Sequence, residues 1–347
     1  MRAVVYQGPG AVDIREVPPP ELIHPRDALV RVRLAGICGT DLHVIAGDFP
    51  GIQPGAVVGH EFMGEVLSVG SAVTLFKPGD NVMASDFTAC GHCHRCGRGD
   101  HWECRERAFF GTGTSFGPAL AGAQAEIVRV PHADTTLAPI PRGCPDEAAI
   151  LLGDNLATAW AAVERSRLEP GEIVAIFGGG AVGQLASLSA QAAGAGAAIV
   201  IEPNAGRRAF ARANGGLVAS PEDATALVAA LTGGEGADVV IEAVGNQAAL
   251  ASAFEIVRKR GRIISVGAHS VESWSFPLAK SFANELTIGF AIGDSIRLRP
   301  RLLSLITTGV LDPTVVIDCR VGFSGAAEAY ADLKAQRAMK ALIDPRL

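Results

Sequence analysis

Four cysteines fall within the run CGHCHRCGRGDHWEC, as Cys90, Cys93, Cys96 and Cys104. Two CxxC steps share Cys93, and the fourth thiol follows eight residues after Cys96. Thiolates three apart in a tight turn point at one tetrahedral ion. Four of them complete the closed shell of a structural zinc, which adds folding free energy outright. His92, His94 and His101 lie in the same loop and read as surface polar groups, because the shell is already full. An adventitious cluster or an iron site are the competing readings. A nucleic-acid-binding zinc ribbon is opposed by the net charge of −6, since such proteins carry a basic patch. Cysteines number 7, an odd total that suits metal better than a disulfide framework. Cys144 and Cys319 suggest buried packing and no chemistry.

A second pattern is Gly178-Gly179-Gly180-Ala181-Val182-Gly183, which fits GxGxxG through Gly178, Gly180 and Gly183. It follows the apolar strand EIVAIFGGG (172–180) and opens a helical stretch, the context a dinucleotide-binding turn requires. Glycine permits the tight turn and a close backbone approach, and the helix N-terminus then faces the pyrophosphate. The competing reading is a glycine-rich turn of another doubly wound fold. Glu202 lies 19 residues after Gly183, where a carboxylate accepts hydrogen bonds from the adenosine ribose. It repels a 2′-phosphate, so NAD is expected over NADP. Arg207 and Arg208 either border that ribose or receive a phosphate.

The elements that must position these residues come in two textures. Up to about residue 153, valine-rich runs broken by Gly and Pro (28–37, 61–70, 125–131) predict an antiparallel, barrel-like β domain. Beyond it, strands at 172–180, 197–204, 237–245 and 262–268 alternate with helices at 155–168, 181–194, 205–215 and 247–259, which predicts βαβ units on a parallel sheet. Helices at 297–308 and 324–337 and a strand at 339–345 close the chain. At 347 residues two domains are expected, and 48% hydrophobic with 19% charged residues is an ordinary globular composition. No apolar run reaches a membrane span and the opening residues lack a secretory pattern, so a cytoplasmic enzyme without membrane or nucleic-acid partners is expected.

Two further pieces, Gly36-Ile37-Cys38-Gly39-Thr40-Asp41-Leu42-His43 and GHEFMGEVLSVGSAV (59–73) followed by FKPGDNV (76–82), complete a pattern with the cysteine loop and the glycine turn. Together they resemble the zinc-dependent alcohol dehydrogenases of the medium-chain dehydrogenase/reductase family over nearly the whole chain. The resemblance implies a GroES-like β-barrel catalytic domain at about 1–153 and 293–347, and a Rossmann dinucleotide-binding domain at 154–292. It implies a second, catalytic zinc held by Cys38, His60 and the residue at the domain junction, here Asp154 in LLGDNLATAW. A carboxylate in place of the second cysteine is a harder donor of equal charge, which tunes the metal and keeps the site. Glu61 is then either an intermittent fourth ligand or a carboxylate behind the ligands.

The family's proton relay falls on Thr40, two residues after Cys38, and on His43. Asp41 is a candidate to orient a neighbour or to cap a helix start, and is given no chemistry. Thr158, Val244, Val266 and Ala268 match positions beside the nicotinamide, and Lys340 one near the pyrophosphate. The implied activity is hydride transfer between an alcohol, primary or secondary, and NAD, by an assembly of four or two copies. Phe87, Phe109, Phe110, Trp160 and Ile292 are candidate pocket residues and favour an apolar substrate over a polyol, amino alcohol or sugar. A zinc- and nucleotide-binding protein without turnover is the non-enzymatic reading, opposed by the joint presence of Cys38, Thr40, His43, His60 and Asp154.

Overall fold

The computed structural model describes residues 1–48, 51–269 and 273–347. The chain forms two compact units, Met1–Asp154 with Asp294–Leu347, and Asn155–Gly293. The first unit opens with strands β1 (Arg2–Gly8), β2 (Ala11–Glu16), β3 (Ala28–Ile37), β4 (Phe62–Val69), β5 (Asn81–Ala84), β6 (Ile127–Val130) and β7 (Leu137–Pro139). The second holds β8 (Ile173–Phe177), β9 (Ala197–Ile201), β10 (Leu217–Ala219), β11 (Ala237–Glu242), β12 (Val257–Ser265) and β13 (Thr287–Phe290). The chain then returns to the first unit with β14 (Cys319–Val321) and β15 (Ala341–Ile343).

In the first unit β1 and β2 make a hairpin, and a larger sheet runs β14-β15-β3-β4-β5-β7 with β6 also paired to β3. All its pairings are antiparallel except β14 with β15. β3 organises the unit. Its first half alternates, burying Val30 and Val32 and turning Arg31 to solvent, as one wet face requires. Its last residues, from Leu34 to Ile37, are all buried, and the strand delivers the chain into Cys38. The core gathers Val30, Val32, Phe62, Val66, Phe110, Phe323 and Tyr330. Phe62 meets Phe110 edge to face at 5.1 Å.

The second unit is a parallel sheet ordered β10-β9-β8-β11-β12-β13. Counted within the unit this is 3-2-1-4-5-6, the Rossmann order, whose ligand crevice lies outside the carboxyl ends where the order reverses. That point is β8 beside β11, and their ends carry Gly178 and Val244. β8 and β9 read as continuous apolar runs because helices cover both faces of such a sheet.

Several boundaries differ from the sequence reading, and the Ala224–Thr232 helix and strands β10 and β13 are not among the elements it predicts. The helix expected over 247–259 ends at Ile256, and Val257 already pairs with Ala237 as strand. β-branched Val257 favours the ladder, and Arg258 follows with its guanidinium on Asp238 at 2.6 Å. Among the described residues no helix is long and apolar enough to cross a membrane.

Candidate metal centres and dinucleotide turn

Cys38 follows β3 and sits at the N-cap of the Gly39–Ala46 helix. Asp41, in that helix's first turn, accepts the Cys38 N–H at 3.0 Å, one half of a capping box. The other carboxylate oxygen of Asp41 lies 3.0 Å from His60 Nδ1. One acidic side chain thus ties the backbone of Cys38 to the imidazole of His60, and so fills both roles, orienting a neighbour and capping a helix, that the sequence leaves as alternatives. A ring nitrogen held by a carboxylate leaves the other nitrogen facing outward, the arrangement of metal-binding histidines.

The outward atom, His60 Nε2, is buried without a hydrogen-bond partner. It lies 3.3 Å from Asp154 Oδ2, which is also 3.6 Å from Cys38 Sγ. Donor atoms of Cys38, His60, Glu61 and Asp154 lie within 4.8 Å of one another. Ligands on a tetrahedral zinc are separated by about 3.3–3.8 Å for metal–ligand bonds near 2.0–2.3 Å, so the set fits. The electrostatics agree. Burial opposes a charged imidazole, yet Asp41 and Asp154 outweigh it and push His60 well above its usual value. Two anionic groups there, a thiolate and a carboxylate, would balance a divalent cation.

Glu61 precedes β4, and its backbone carbonyl accepts the Gly36 N–H at 2.9 Å. Its carboxylate is paired with the Lys340 ammonium, which also donates to the Ile37 carbonyl at 3.2 Å. Lys340 is only 1% exposed. It forms a buried ion pair, an enclosed ammonium held by charge beside a carboxylate. Sequence spacing could not show this, because the pair is 279 residues apart.

Thr40 and His43 are on the Gly39–Ala46 helix, three apart and therefore on one face. His43 Nδ1 is 2.7 Å from Asp48 Oδ2, which orients the ring. Asp86 was not foreseen either. Its N–H donates to the Gly153 carbonyl beside Asp154. Burial first, and then the nearby Asp154, push its carboxyl well above the usual carboxylate range.

The cysteine loop forms a small apolar nucleus with Phe87, Phe109 and Trp102. Sγ separations of 3.5 Å for Cys93–Cys96 and 4.0 Å for Cys90–Cys96 match the ~3.8 Å of a tetrahedral thiolate shell. The Cys90 and Glu106 N–H groups donate to Cys104 Sγ. Backbone N–H groups, that of Cys96 foremost, draw the Cys93 thiol down to about 6. Asp294 accepts the His101 N–H at 2.9 Å and caps the Ser295–Thr307 helix through Arg297 N, which anchors the loop. All seven cysteines are free thiols.

The pocket aromatics divide. Phe109 touches the His60 ring at 5.3 Å. Phe87 and Phe110 are both 0% exposed, one in the cysteine-loop nucleus and the other in the main core. They pack the protein and cannot line a pocket. In the second unit Trp160 is buried and Ile292 exposed.

The glycine turn sits between β8 and the Ala181–Ala192 helix, with Gly180 as its N-cap. Gly178 has φ +98°, and a Cβ there would meet Val244 at 2.9 Å. A Cβ on Gly183 would overlap the Gly178 carbonyl, so helix and turn pack by direct backbone contact. At Gly180 the nearest atom to such a Cβ is Arg207 Nη1 at 3.8 Å, which leaves a cradle open above the turn. Val182 lies in the first turn of the helix. Glu202 follows β9 and accepts from Gly179 N at 2.6 Å and Asn204 N at 2.8 Å. Arg208 is committed to the Glu202 and Pro203 carbonyls at 2.6 and 2.7 Å. Arg207 leans toward Gly180, with its Nε buried and unpartnered. Buried Glu242 accepts the N–H groups of Val244 and Gly245, both at 2.7 Å. Val266 N bonds the Glu242 carbonyl at 2.8 Å, a Cβ on Gly245 would meet the Ala268 backbone, and the Thr158 side chain lies against Gly293.

Comparison with known proteins agrees with this geometry. The pattern of the alcohol dehydrogenase GroES-like domain matches residues 24–142, and that of the zinc-binding dehydrogenases matches 181–308. A probable zinc-binding alcohol dehydrogenase of Mycobacterium tuberculosis is 37% identical over 337 residues, covering 97% of this chain and 86% of that protein. The solved alcohol dehydrogenase TADH from Thermus sp. ATN1 superimposes with a TM-score of 0.93 at 38% identity, over 99% of each chain. A zinc-binding dehydrogenase of Sinorhizobium meliloti, solved bound to NADP, reaches a TM-score of 0.84 at 28% identity over 99% of each chain. With both zinc-compatible donor sets, the Rossmann turn and relatives along its whole length, the chain belongs to the zinc-dependent alcohol dehydrogenases of the medium-chain dehydrogenase/reductase family.

Proposed function

We propose that this dehydrogenase moves a hydride between the carbinol carbon of an alcohol and NAD, with Cys38, His60 and Asp154 holding a catalytic zinc and Cys90, Cys93, Cys96 and Cys104 a structural one. The single observation that carries the reading is the buried His60 Nε2, which makes no hydrogen bond and faces Asp154 Oδ2, itself beside Cys38 Sγ. Zinc in that cradle supplies the Lewis acidity that makes an alcohol hydroxyl acidic near neutral pH. The protein's part is to move the proton and hold the reactants. The hydroxyl proton passes to Thr40 Oγ and on through His43, whose ring Asp48 orients, to solvent. Bound NAD would supply the acceptor for the hydride of the carbinol C–H bond, the carbon–oxygen bond becoming a carbonyl. Glu61, held by Lys340, is the carboxylate in reserve for ligand exchange.

For the cofactor, Gly178, Gly180, Val182 and Gly183 form the pyrophosphate cradle, and Thr158, Val244, Val266 and Ala268 border the nicotinamide. NAD is favoured because Glu202 places a negative charge at the ribose end while Arg208 is committed to carbonyls. Arg207 then faces the pyrophosphate. Replacing Glu202 by Ala is expected to shift the ratio of kcat/KM values toward NADP by about tenfold or more, the scale of losing one charge–charge repulsion. An unchanged ratio would remove Glu202 from cofactor choice.

A polyol, amino alcohol or sugar is the second reading, and two observations favour it. Phe87 and Phe110 no longer support an apolar pocket, and close to Asp154 stands the polar carboxyl of Asp86, which burial and Asp154 push well above the usual carboxylate range. We also propose a cytoplasmic homo-oligomer, a tetramer or dimer. The edge strand β13 and the neighbouring Leu278–Ala283 helix expose Phe290, Leu278 and Phe282, the kind of surface an assembly covers. The test is NAD⁺ or NADP⁺ reduction at 340 nm with aliphatic, aromatic and polyhydroxy alcohols, with zinc content and light-scattering mass measured on the same sample. Turnover of simple alcohols supports the first substrate class and turnover of polyols alone the second. Tight NAD⁺ binding and full zinc without turnover of any alcohol would overturn the enzymatic assignment.

A further inference from the structure

A chain of buried side chains runs from the far side of the first unit's core to His60. Tyr330, on the Ala326–Lys334 helix, donates its hydroxyl to Gln124 Oε1 at 2.8 Å. Gln124 Nε2 donates to the Gly36 carbonyl at 2.9 Å and to Asp41 Oδ2 at 3.3 Å. Asp41 Oδ1 meets His60 Nδ1. Gln124 is 0% and Tyr330 6% exposed.

The direction of the chain is fixed by chemistry. The Gly36 carbonyl and the Asp41 carboxylate only accept, so the Gln124 NH₂ must face them. That leaves Oε1 for Tyr330, whose hydroxyl must then donate. The same residue touches both segments that carry metal ligands. Gly36 is two residues before Cys38. Gln124 N bonds the Val58 carbonyl at 3.0 Å, and Gly59, next to His60, has φ +95° with a Cβ position that would fall on the Gln124 side chain. An amide enclosed in a core is costly unless every group is bonded, and a leucine or methionine would fill this space without that demand. What the amide adds is orientation.

We propose that Gln124 and Tyr330 are positioning residues of the zinc cradle: they fix the Asp41 carboxylate, and through it the His60 ring, and so set how tightly the metal is retained. The proposal rests on reading Cys38, His60 and Asp154 as the catalytic zinc site.

The cysteine-loop zinc serves as an internal control. Holoenzyme and the variants Gln124→Met and Tyr330→Phe would be mixed with excess 4-(2-pyridylazo)resorcinol, and release of each zinc equivalent followed by absorbance. A Cys38→Ser chain identifies which phase belongs to the cradle. The expected result is that this one phase accelerates about tenfold in Gln124→Met and a few-fold in Tyr330→Phe, within the range known for groups behind metal ligands, while the other phase keeps its rate. Cobalt-substituted enzyme should show a shifted visible band in the same variants. Unchanged release in both overturns the proposal, and so does an equal acceleration of both phases, which marks general loosening. If Gln124→Met does not fold, Tyr330→Phe decides alone, since it removes one oxygen from a packed ring. Wild-type protein with a single zinc indifferent to Cys38→Ser overturns the cradle itself and the proposal with it, and is distinguishable from two zincs with unaltered release.

Discussion

Asp41 carries two loads at once, the Cys38 N–H on one oxygen and the His60 ring on the other. Both oxygens are enclosed, so no water can replace either contact. Replacing Asp41 by Ala is therefore expected to weaken zinc binding at the cradle by about 10- to 100-fold, the range found for carboxylates behind metal-bound histidines. Metal competition titration checks this, and an unaltered cradle affinity would show that the His60 tautomer is set by something else. Lys340 makes a related point about charge. An ammonium buried beside Glu61 offsets the charge of that carboxylate. Two carboxylates and a thiolate can then share a small volume without mutual repulsion.

At the scale of elements, the glycine turn depends on backbone more than on side chains. Gly178 has a left-handed φ and lies against Val244, so a methyl group there strains the turn and pushes on β11. The expected outcome for Gly178→Ala is NAD⁺ affinity lower by about tenfold or more, with folding stability down by about 1–2 kcal/mol. Calorimetric titration beside urea unfolding separates the two, and wild-type affinity would exclude Gly178 from the cofactor cradle. The Ser295–Thr307 helix makes the same argument at its N-cap. Asp294 joins that helix to the backbone and ring of His101, so Asp294→Ala should cost about 1–2 kcal/mol and speed zinc loss from the cysteine loop. Timed release to a chelator checks it, and a change in stability without a change in release would confine Asp294 to capping.

For the molecule as a whole, the acid limb of stability should follow Asp344, which follows β15. Burial opposes its charge, but Arg346 and Arg320 outweigh it and hold its carboxyl well below the usual range. Their contacts are at 2.8 and 2.6 Å. A carboxylate with a depressed folded pKa stabilises above its unfolded value of about 3.9, and that contribution is lost as pH falls through the folded value. Asp344→Asn should accordingly cost about 1–2 kcal/mol at pH 7, hold that deficit down to about pH 5, and narrow it below about pH 4. Urea unfolding across that range measures it. A deficit already gone by pH 6 would mean the pair is screened.

The sequence by itself determined what short-range chemistry and periodicity can carry. The four-thiol loop is legible because its ligands lie within one local turn, and the GxGxxG turn because strand, glycines and helix are consecutive. The parallel sheet shows in its uninterrupted apolar strands, which only a sheet covered on both faces tolerates. Cys38, His60 and Asp154 stand far apart in the chain and were grouped through family resemblance, not spacing. Only the tertiary structure decided the partnerships made across distance: Lys340 with Glu61, Gln124 with Tyr330, Asp41 between Cys38 and His60, and Asp86 near Asp154. Nor could spacing tell Phe87 and Phe110 from pocket walls, since an aromatic side chain serves a core and a pocket equally well. The physical reason is common to all of these. Burial and long-range hydrogen bonding depend on which segments the fold brings together, and a buried charge or amide is recognisable only once its partner is known.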